Sequence, residues 1–242
     1  MKIEYLKKME RIVKSSGSRD PDVVLDCMGY IYVDPGESLP GFITKRKNMV
    51  YYGVNRNMSP QQYAFGSFHE AFHGICGHLD LPGFLGGGAH ADNFQMTYSV
   101  AKTERDANIG AADVMIDTAS FLEMVGYDSA EVRSYIRSVD SFEQAVRDYR
   151  RHYEAVVANG SSESRIRKMV AYQSDLARMY EQLQEQARDI TNSGLCLTTP
   201  EIAKEFSVPD YIVDYKYEAM AVRNYDVPSV ELPSFDKVFG GW

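Results

Sequence analysis

Short apolar runs separated by turn residues fill the first quarter of the chain. The runs GYIYVD, GFITKR and NMVYYGVN are rich in β-branched and aromatic residues, and Pro35 and Gly36 separate the first two. Runs of this kind, bounded by Pro and Gly, are typical of β-strands joined by turns. The pattern predicts a small antiparallel sheet that follows an N-terminal helix and ends near Asn57.

The next segment, SPQQYAFGSFHEAFHGICG, predicts a helix. Ser59 supplies an N-cap, Pro60 suits the first helical position, and Gln62 completes an S-x-x-Q capping box. We expect this helix to begin at Pro60 and to end between Gly74 and Gly77. A glycine-rich loop, LPGFLGGGAHADNFQ, then leads to a second helix that carries KTERDANIGAADVMI.

From about Ser129 to Ile190, apolar positions recur at alternating spacings of four and three, as in a coiled-coil seam. The polar segment ANGSSES divides the pattern into two runs, which predicts an antiparallel helical hairpin. The seam positions are Phe142, Val146, Tyr149, Tyr153, Val156, Ile166, Met169, Gln173, Leu176, Tyr180, Leu183, Ala187 and Ile190. An excess of Arg and Lys near the tip fits a solvated helix face, and the alternative is a surface for an acidic partner.

These elements make an α+β chain of three expected parts. Residues 1–120 contain the sheet and the two helices, residues 121–193 form the helical hairpin, and residues 194–242 form a C-terminal segment and tail. In the last part, two short predicted helices on either side of a turn have a helix-turn-helix outline. Because the second of them carries Asp210 and Asp214, we expect the segment to pack on the core rather than to read DNA.

Composition narrows the classes of partner. The formal net charge is -8 and the pI is about 5.2, which argues against direct binding to nucleic acid. Cys27, Cys76 and Cys196 are odd in number and far apart, so a disulfide framework is not indicated. No stretch reaches the roughly 20 apolar residues of a membrane span, and no signal peptide is recognisable. We expect a cytoplasmic protein.

The motif HEAFH carries the chemistry. His69 and His73 are four residues apart, so on a helix their side chains project from one face and can bind one metal ion. Glu70 follows His69 and is placed beside that ion, where a general base for a water molecule is needed. Gly66 and Gly77 are expected to leave space over this site, because they lack side chains on nearly the same face.

Catalytic zinc usually has three protein ligands and a fourth position for water, so a third ligand is expected. The sequence offers His78, His90 and Glu104. His78 does not match the longer pattern HExxHxxGxxH, whose third histidine falls at Leu79, and His90 lies in the glycine-rich loop.

Glu104 has the better context of the three candidates. Ala107, Ala111 and Ala112 would let its helix approach the HEAFH helix closely, and Asn108 is placed to hydrogen-bond a metal ligand. Taken alone, however, TERDAN is better explained as a solvent-exposed helix start with Thr103 as its cap.

HEAFH at 69–73, followed by ERDAN at 104–108 and then IGAADVM, resembles the ImmA/IrrE family of metallopeptidases. GFITKRKNMVYYGVN and TPEIAKEFSVPDYIVDYKYEAM extend the resemblance, which covers roughly residues 20–117 and 195–225. It implies a zincin-like core with the hairpin as an insertion. It further implies His69, His73 and Glu104 as ligands of Zn²⁺, with Mn²⁺ or Fe²⁺ as alternatives, and Glu70 as the catalytic acid/base.

The resemblance implies a zinc-dependent endopeptidase that cleaves a repressor-like, helix-turn-helix regulatory protein. His90 and Tyr98 are candidates, by proximity only, for contacts to the substrate or to the oxyanion. The hairpin is expected to select the partner or to pair with a second copy of the chain. The alternative is a metal-binding regulatory or toxin-antitoxin module without proteolysis. The family often has a proline after the second helix, and because Asp117 lies there instead, the helix is expected to continue into the hairpin.

Overall fold

The computed structural model describes residues 1–37, 39–81, 98–159, 162–225 and 227 of the protein, without the side chains of 98–100 and 159. Two compact units divide the chain. The first comprises Met1–Ser120 and Ile202–Tyr225, and the second includes Phe121–Glu201. Among the described helices, none has the length and apolar character needed to cross a membrane.

The described elements are mostly helices, together with one small sheet, which confirms the α+β class. In chain order they are α1 (Ile3–Ser16), α2 (Pro21–Cys27), β1 (Ile31–Tyr32), β2 (Gly41–Arg46), β3 (Met49–Val54), α3 (Pro60–Ile75), a 3₁₀ turn (His78–Asp80), α4 (Tyr98–Met115), α5 (Thr118–Met124), α6 (Ala130–Asn159), α7 (Glu163–Asn192), α8 (Thr199–Glu205) and α9 (Asp210–Val222). The core of the first unit lies where α1, α2, α4 and the sheet pack around α3.

The sheet is mixed, with the strand order β1-β3-β2. The prediction of antiparallel pairing is correct for β2 and β3, but it is wrong for β1, which runs parallel to β3. After β1 the chain crosses to the far side of β3, so the two strands share one direction. Gly53 permits this crossing, because a Cβ there would lie 2.3 Å from the Val33 carbonyl oxygen and 2.5 Å from the Phe42 ring.

Helix α3 begins and ends where its sequence predicts. The Ser59 hydroxyl accepts from the Gln62 backbone N–H, and the Gln62 side chain accepts from the Ser59 N–H, as in a capping box. A Cβ on Gly66 would meet the Val54 side chain at 3.1 Å, so this glycine lets α3 pack closely on β3. Gly77 is required for its backbone, which takes the left-handed conformation with φ of +76°.

Close packing of α4 on α3 depends on small residues. A Cβ on Gly110 would lie 2.2 Å from the Phe72 ring, and Ala107, Ala111 and Ala112 are fully buried. Because α4 begins at Tyr98, Glu104 lies well inside the helix and not at a capped start.

The second helix does not continue into the hairpin, so that expectation is wrong. Helix α4 ends at Met115, and the Asp117 carboxylate then accepts from the Ser120 backbone N–H at 3.0 Å, which caps a new helix, α5.

In the C-terminal segment, α9 lies against α4. Lys216 is fully buried, and its ammonium donates to the Asp113 carboxylate at 2.8 Å and to the Thr118 hydroxyl at 3.0 Å. Arg223 donates to the same carboxylate at 2.6 Å. Burial alone would raise the pKa of Asp113, but these two cations outweigh burial and hold its pKa below the ordinary value.

In the second unit, α6 and α7 form the predicted antiparallel hairpin. Ring contacts pair Phe142 with Tyr180 and Tyr149 with Tyr172 at centroid distances of 5.9 and 5.7 Å. The predicted seam is buried over the part near the base, whereas Ile166 near the tip is 49% exposed. The segments before and after the hairpin meet, because the Leu197 N–H donates to the Met124 carbonyl at 2.8 Å.

Asp113→Asn is expected to lower the free energy of unfolding at pH 7 by about 3–5 kcal/mol, because it leaves the Lys216 ammonium buried without its counter-charge. A depressed folded-state pKa stabilises the fold above the unfolded value of about 3.9, and this contribution is lost as the pH falls through the folded value. Chemical denaturation should therefore show the two proteins converging as the pH falls through the lowered pKa of Asp113. Asp175→Asn, in an exposed pair with Arg178, is the control and should change stability little. Equal stability of Asp113→Asn and wild type at pH 7 would contradict the ion-pair explanation.

Candidate metal centre

Helices α3 and α4 bring together the three residues that the sequence singled out as metal ligands. The His69 Nε2 lies 3.0 Å from the His73 Nε2 and 3.2 Å from a Glu104 carboxylate oxygen. The other Glu104 oxygen lies 3.5 Å from the His73 Nε2. Tetrahedral Zn²⁺, with bonds of about 2.0–2.1 Å, holds its ligand atoms about 3.3 Å apart, so the spacing of these three groups suits one ion.

Hydrogen bonds on the far sides of both rings show which nitrogens point at the common centre. The His69 Nδ1 lies 2.8 Å from the Asn108 Oδ1, and the His73 Nδ1 lies 3.0 Å from the His78 Nδ1. With protons on both Nδ1 atoms, neutral rings of His69 and His73 turn two lone pairs toward each other and toward a carboxylate. Three acceptors that converge in this way need a proton or a cation between them. The donor set therefore fits a divalent metal ion.

The charges of these groups are coupled. Burial alone would lower the pKa of His69, but the hydrogen bond to Glu104 and the charge of Glu70 outweigh burial and raise it. Burial alone would raise the pKa of Glu104, but the hydrogen bonds with His69 and His73 hold it well below its ordinary value. The opposite shifts show that a negative Glu104 carboxylate and a positive charge at His69 favour each other, and a bound metal ion would supply that positive charge.

Glu70 is 8% exposed and follows His69 directly in α3. Burial is the largest cause that raises its pKa to about 7; the Glu104 charge also raises it, and His69 opposes the shift. One Glu70 carboxylate oxygen lies 3.1 Å from the point where a Cβ of Gly41 would stand. The absence of a side chain at the start of β2 therefore makes room for this carboxyl group between α3 and the strand.

Helix α9 braces the part of α4 that carries Glu104. The Asn108 amide donates to the Tyr215 hydroxyl at 3.1 Å, and Arg105 donates to Glu218 at 2.8 Å. The sequence indicated Asn108 as a partner of a ligand, but it gave no sign of Tyr215 or Glu218, because no local pattern relates α9 to α4.

His78 is the residue whose place sequence reasoning missed. It is 6% exposed, and its ring contacts His73 instead of joining the three ligand atoms. Burial, the largest cause, lowers the pKa of His78 to about 4. The sequence signal that could have located His78 is the glycine before it. Gly77 takes a left-handed conformation, which ends the helix and turns the chain back.

The other two predicted contacts are not located. His90 lies outside the described residues, and so does the side chain of Tyr98, although Tyr98 is the first residue of α4. On the His69 side, an aromatic surface adjoins the centre. The Phe65 ring lies 6.3 Å from the His69 ring and 6.0 Å from the ring of Tyr211, which is 49% exposed.

Comparison with protein-family models, with curated proteins and with solved structures found no match to this chain. The likeness to ImmA/IrrE metallopeptidases therefore depends on the motif residues alone.

Purified protein is expected to contain one divalent metal ion per chain, held by His69, His73 and Glu104. His73→Ala removes one of three ligands and should reduce the metal content measured by elemental analysis to a small fraction of wild type. The control is His152→Ala, because His152 is an exposed residue of α6 whose ring bonds to the Asp148 carbonyl. Metal content unchanged by His73→Ala would contradict the assignment.

Proposed function

We propose that the protein is a metal-dependent endopeptidase of the ImmA/IrrE type. The observation that supports this proposal is the convergence of the His69, His73 and Glu104 ligand atoms with a buried carboxyl group, Glu70, directly beside them. Structural zinc sites generally have four protein ligands, whereas catalytic sites have three and leave a position for water, so three ligands with a carboxyl group beside them fit the catalytic arrangement.

A divalent metal bound there would act as a Lewis acid toward a peptide carbonyl and would lower the pKa of a water molecule toward about 7. The role of Glu70 is to accept a proton from the attacking water and then to deliver it to the leaving amine. Its burial between α3 and the first residue of β2 limits competition from bulk water and restricts the directions in which the carboxyl group can turn.

The edge of β2 away from β3 is the proposed place for the substrate backbone. Among the described strands, β3 is the only neighbour of β2, so no described strand pairs with its other edge. An extended peptide that adds to this edge would run past Gly41 and hence past Glu70. Because Gly41 begins β2 and lies beside Glu70, this edge of the sheet is favoured over β1 for the substrate.

The proposed substrate is a repressor-like, helix-turn-helix regulatory protein, in keeping with the family resemblance. The proposed metal is Zn²⁺, although a His₂Glu donor set also accepts Mn²⁺ or Fe²⁺. The α6–α7 hairpin is proposed to select the partner, because its tip carries the exposed apolar residues Val157, Ile166 and Val170 beside several arginines.

Glu70→Gln is expected to reduce peptide-bond hydrolysis by about 10²- to 10⁴-fold while the metal content stays that of wild type, because the amide keeps the shape but cannot accept a proton. The assay incubates the metal-loaded protein with repressor-like proteins encoded by neighbouring genes and follows the appearance of new termini by mass spectrometry. Glu181→Gln, at an exposed position of α7, is the matched control for the loss of one carboxylate.

The same pair of proteins separates the two functional hypotheses. Loss of the cellular response in Glu70→Gln, with metal retained, supports the peptidase. If wild type cleaves no candidate substrate and Glu70→Gln supports the same cellular response, the protein acts instead as a metal-binding regulatory or toxin-antitoxin module.

Replacing residues 127–194 with a short Gly/Ser linker is expected to leave the first unit folded and able to bind metal, with altered partner choice or association state. The Met124–Leu197 hydrogen bond already holds the two cut ends together, so a short linker can join them without strain. Circular dichroism, metal content and light scattering measure the outcome. Joint loss of folding and metal would instead make the hairpin part of the core.

A further inference from the structure

The geometry around His73 assigns a role to a residue that lies outside the proposed ligand set. We infer that His78 is a positioning residue of the metal centre, because its Nδ1 accepts the Nδ1–H of His73 and thereby directs the His73 Nε2 at the metal. This inference rests on the metal site of the proposed function.

The contact between the rings of His73 and His78 holds a single proton. The His73 Nδ1 and the His78 Nδ1 lie 3.0 Å apart, and a hydrogen bond between two ring nitrogens needs one proton in total. The His73 Nε2 faces the His69 Nε2 at 3.0 Å and a Glu104 oxygen at 3.5 Å, so it must be the unprotonated nitrogen when a metal is bound. The proton of His73 therefore lies on its Nδ1, and the His78 Nδ1 is the acceptor.

His69, the other proposed histidine ligand, has a matching arrangement. The His69 Nδ1 donates to the Asn108 Oδ1 at 2.8 Å, and Asn108 is held in turn by Tyr215. Histidine ligands generally donate their second ring N–H to a fixed acceptor, which sets the tautomer and the ring plane. Asn108 and His78 thus fix the tautomer and orientation of the two rings, as a carboxylate or a backbone carbonyl does for histidine ligands in many metal sites.

A left-handed turn at Gly77 places His78 beside His73. On a continuous helix, residues five apart lie about 140° apart around the axis, so His78 would point away from His73. Helix α3 stops at Ile75, and Gly77 takes a left-handed conformation with nothing within 4 Å of a Cβ built on it. Gly77 is thus needed for its backbone angle alone, and the turn it makes brings the buried His78 ring back beside His73, with the centroids 5.1 Å apart.

An acceptor without charge has a chemical consequence. Glu104 already supplies one negative charge to the three ligands, and a carboxylate behind His73 would add a second within the same buried region. An imidazole fixes the ring without that charge, so the centre stays less negative and better able to polarise a carbonyl group.

Two substitutions at His78 separate orientation from packing. His78→Leu fills a similar volume without an acceptor, whereas His78→Asn places an amide oxygen near the position of Nδ1. Zn²⁺ affinity, measured by competition with a chromophoric chelator, is expected to fall about 10- to 100-fold in His78→Leu. Most of this loss should be recovered in His78→Asn, and His152→Leu is the control that leaves affinity unchanged. Thermal melting of the metal-free proteins reports any change in packing.

The tautomer supplies a readout that packing alone does not move. Long-range ¹H–¹⁵N correlation spectra of the zinc-loaded protein, labelled at histidine, should show His78 with its proton on Nε2 and His73 with its proton on Nδ1. In Co²⁺-loaded His78→Leu, the visible bands should shift relative to wild type, and in His78→Asn they should return toward wild type.

The measurements on wild type and on the two His78 variants distinguish the metal site, the positioning role of His78 and a role in packing. Wild-type protein that binds no Zn²⁺ overturns the metal site of the proposed function. Wild-type affinity in His78→Leu overturns the positioning role while the metal site stands. Equal losses in the Leu and Asn variants, accompanied by lower melting temperatures of the metal-free proteins, assign His78 to packing and also overturn the inference.

Discussion

The close approach of α3 to α4 is the constraint on which the candidate site depends. His69 and His73 belong to one helix and Glu104 to the other, so a metal can bind all three only if the helix axes are close. Gly110 makes this possible, because the Phe72 ring occupies the space of its missing side chain. Packing of this kind is sensitive to single methyl groups, so the geometry of the site is coupled directly to the quality of the core.

The packing of α9 is the second constraint, because α9 holds α4 at two places. Near Glu104, α9 provides Tyr215 to hold Asn108, and farther along it provides Lys216 for the buried Asp113 carboxylate. A helix with no proposed ligand is thus needed to keep α4 in place. The buried groups are consequently linked, since the same helix α4 carries a candidate ligand and the buried Asp113 carboxylate.

Local patterns predicted the features that depend on neighbours in sequence. The capping box and the spacing of His69 and His73 predicted α3 and the shared face of its histidines, and the spacing of apolar residues predicted the hairpin. Features that depend on distant partners were not predictable in this way. The parallel pairing of β1 requires knowledge of where β3 lies, and the burial of Lys216 depends on an aspartate 103 residues away. The place of His78 depends on a left-handed turn, which helical geometry does not describe.

The meeting of the hairpin ends also bears on the order of folding. The contact between Lys216 and Asp113 closes a loop that contains the whole α6–α7 hairpin. Contacts between residues so far apart in sequence form slowly. Contacts between α6 and α7 are local, so that pair can form early and bring Met124 next to Leu197. The contact between Met124 and Leu197 shortens the remaining loop between Asp113 and Lys216 several-fold. The entropic cost of closing that loop falls by about 1 kcal/mol. The hairpin is therefore expected to speed folding, because its early formation brings α9 closer to α4.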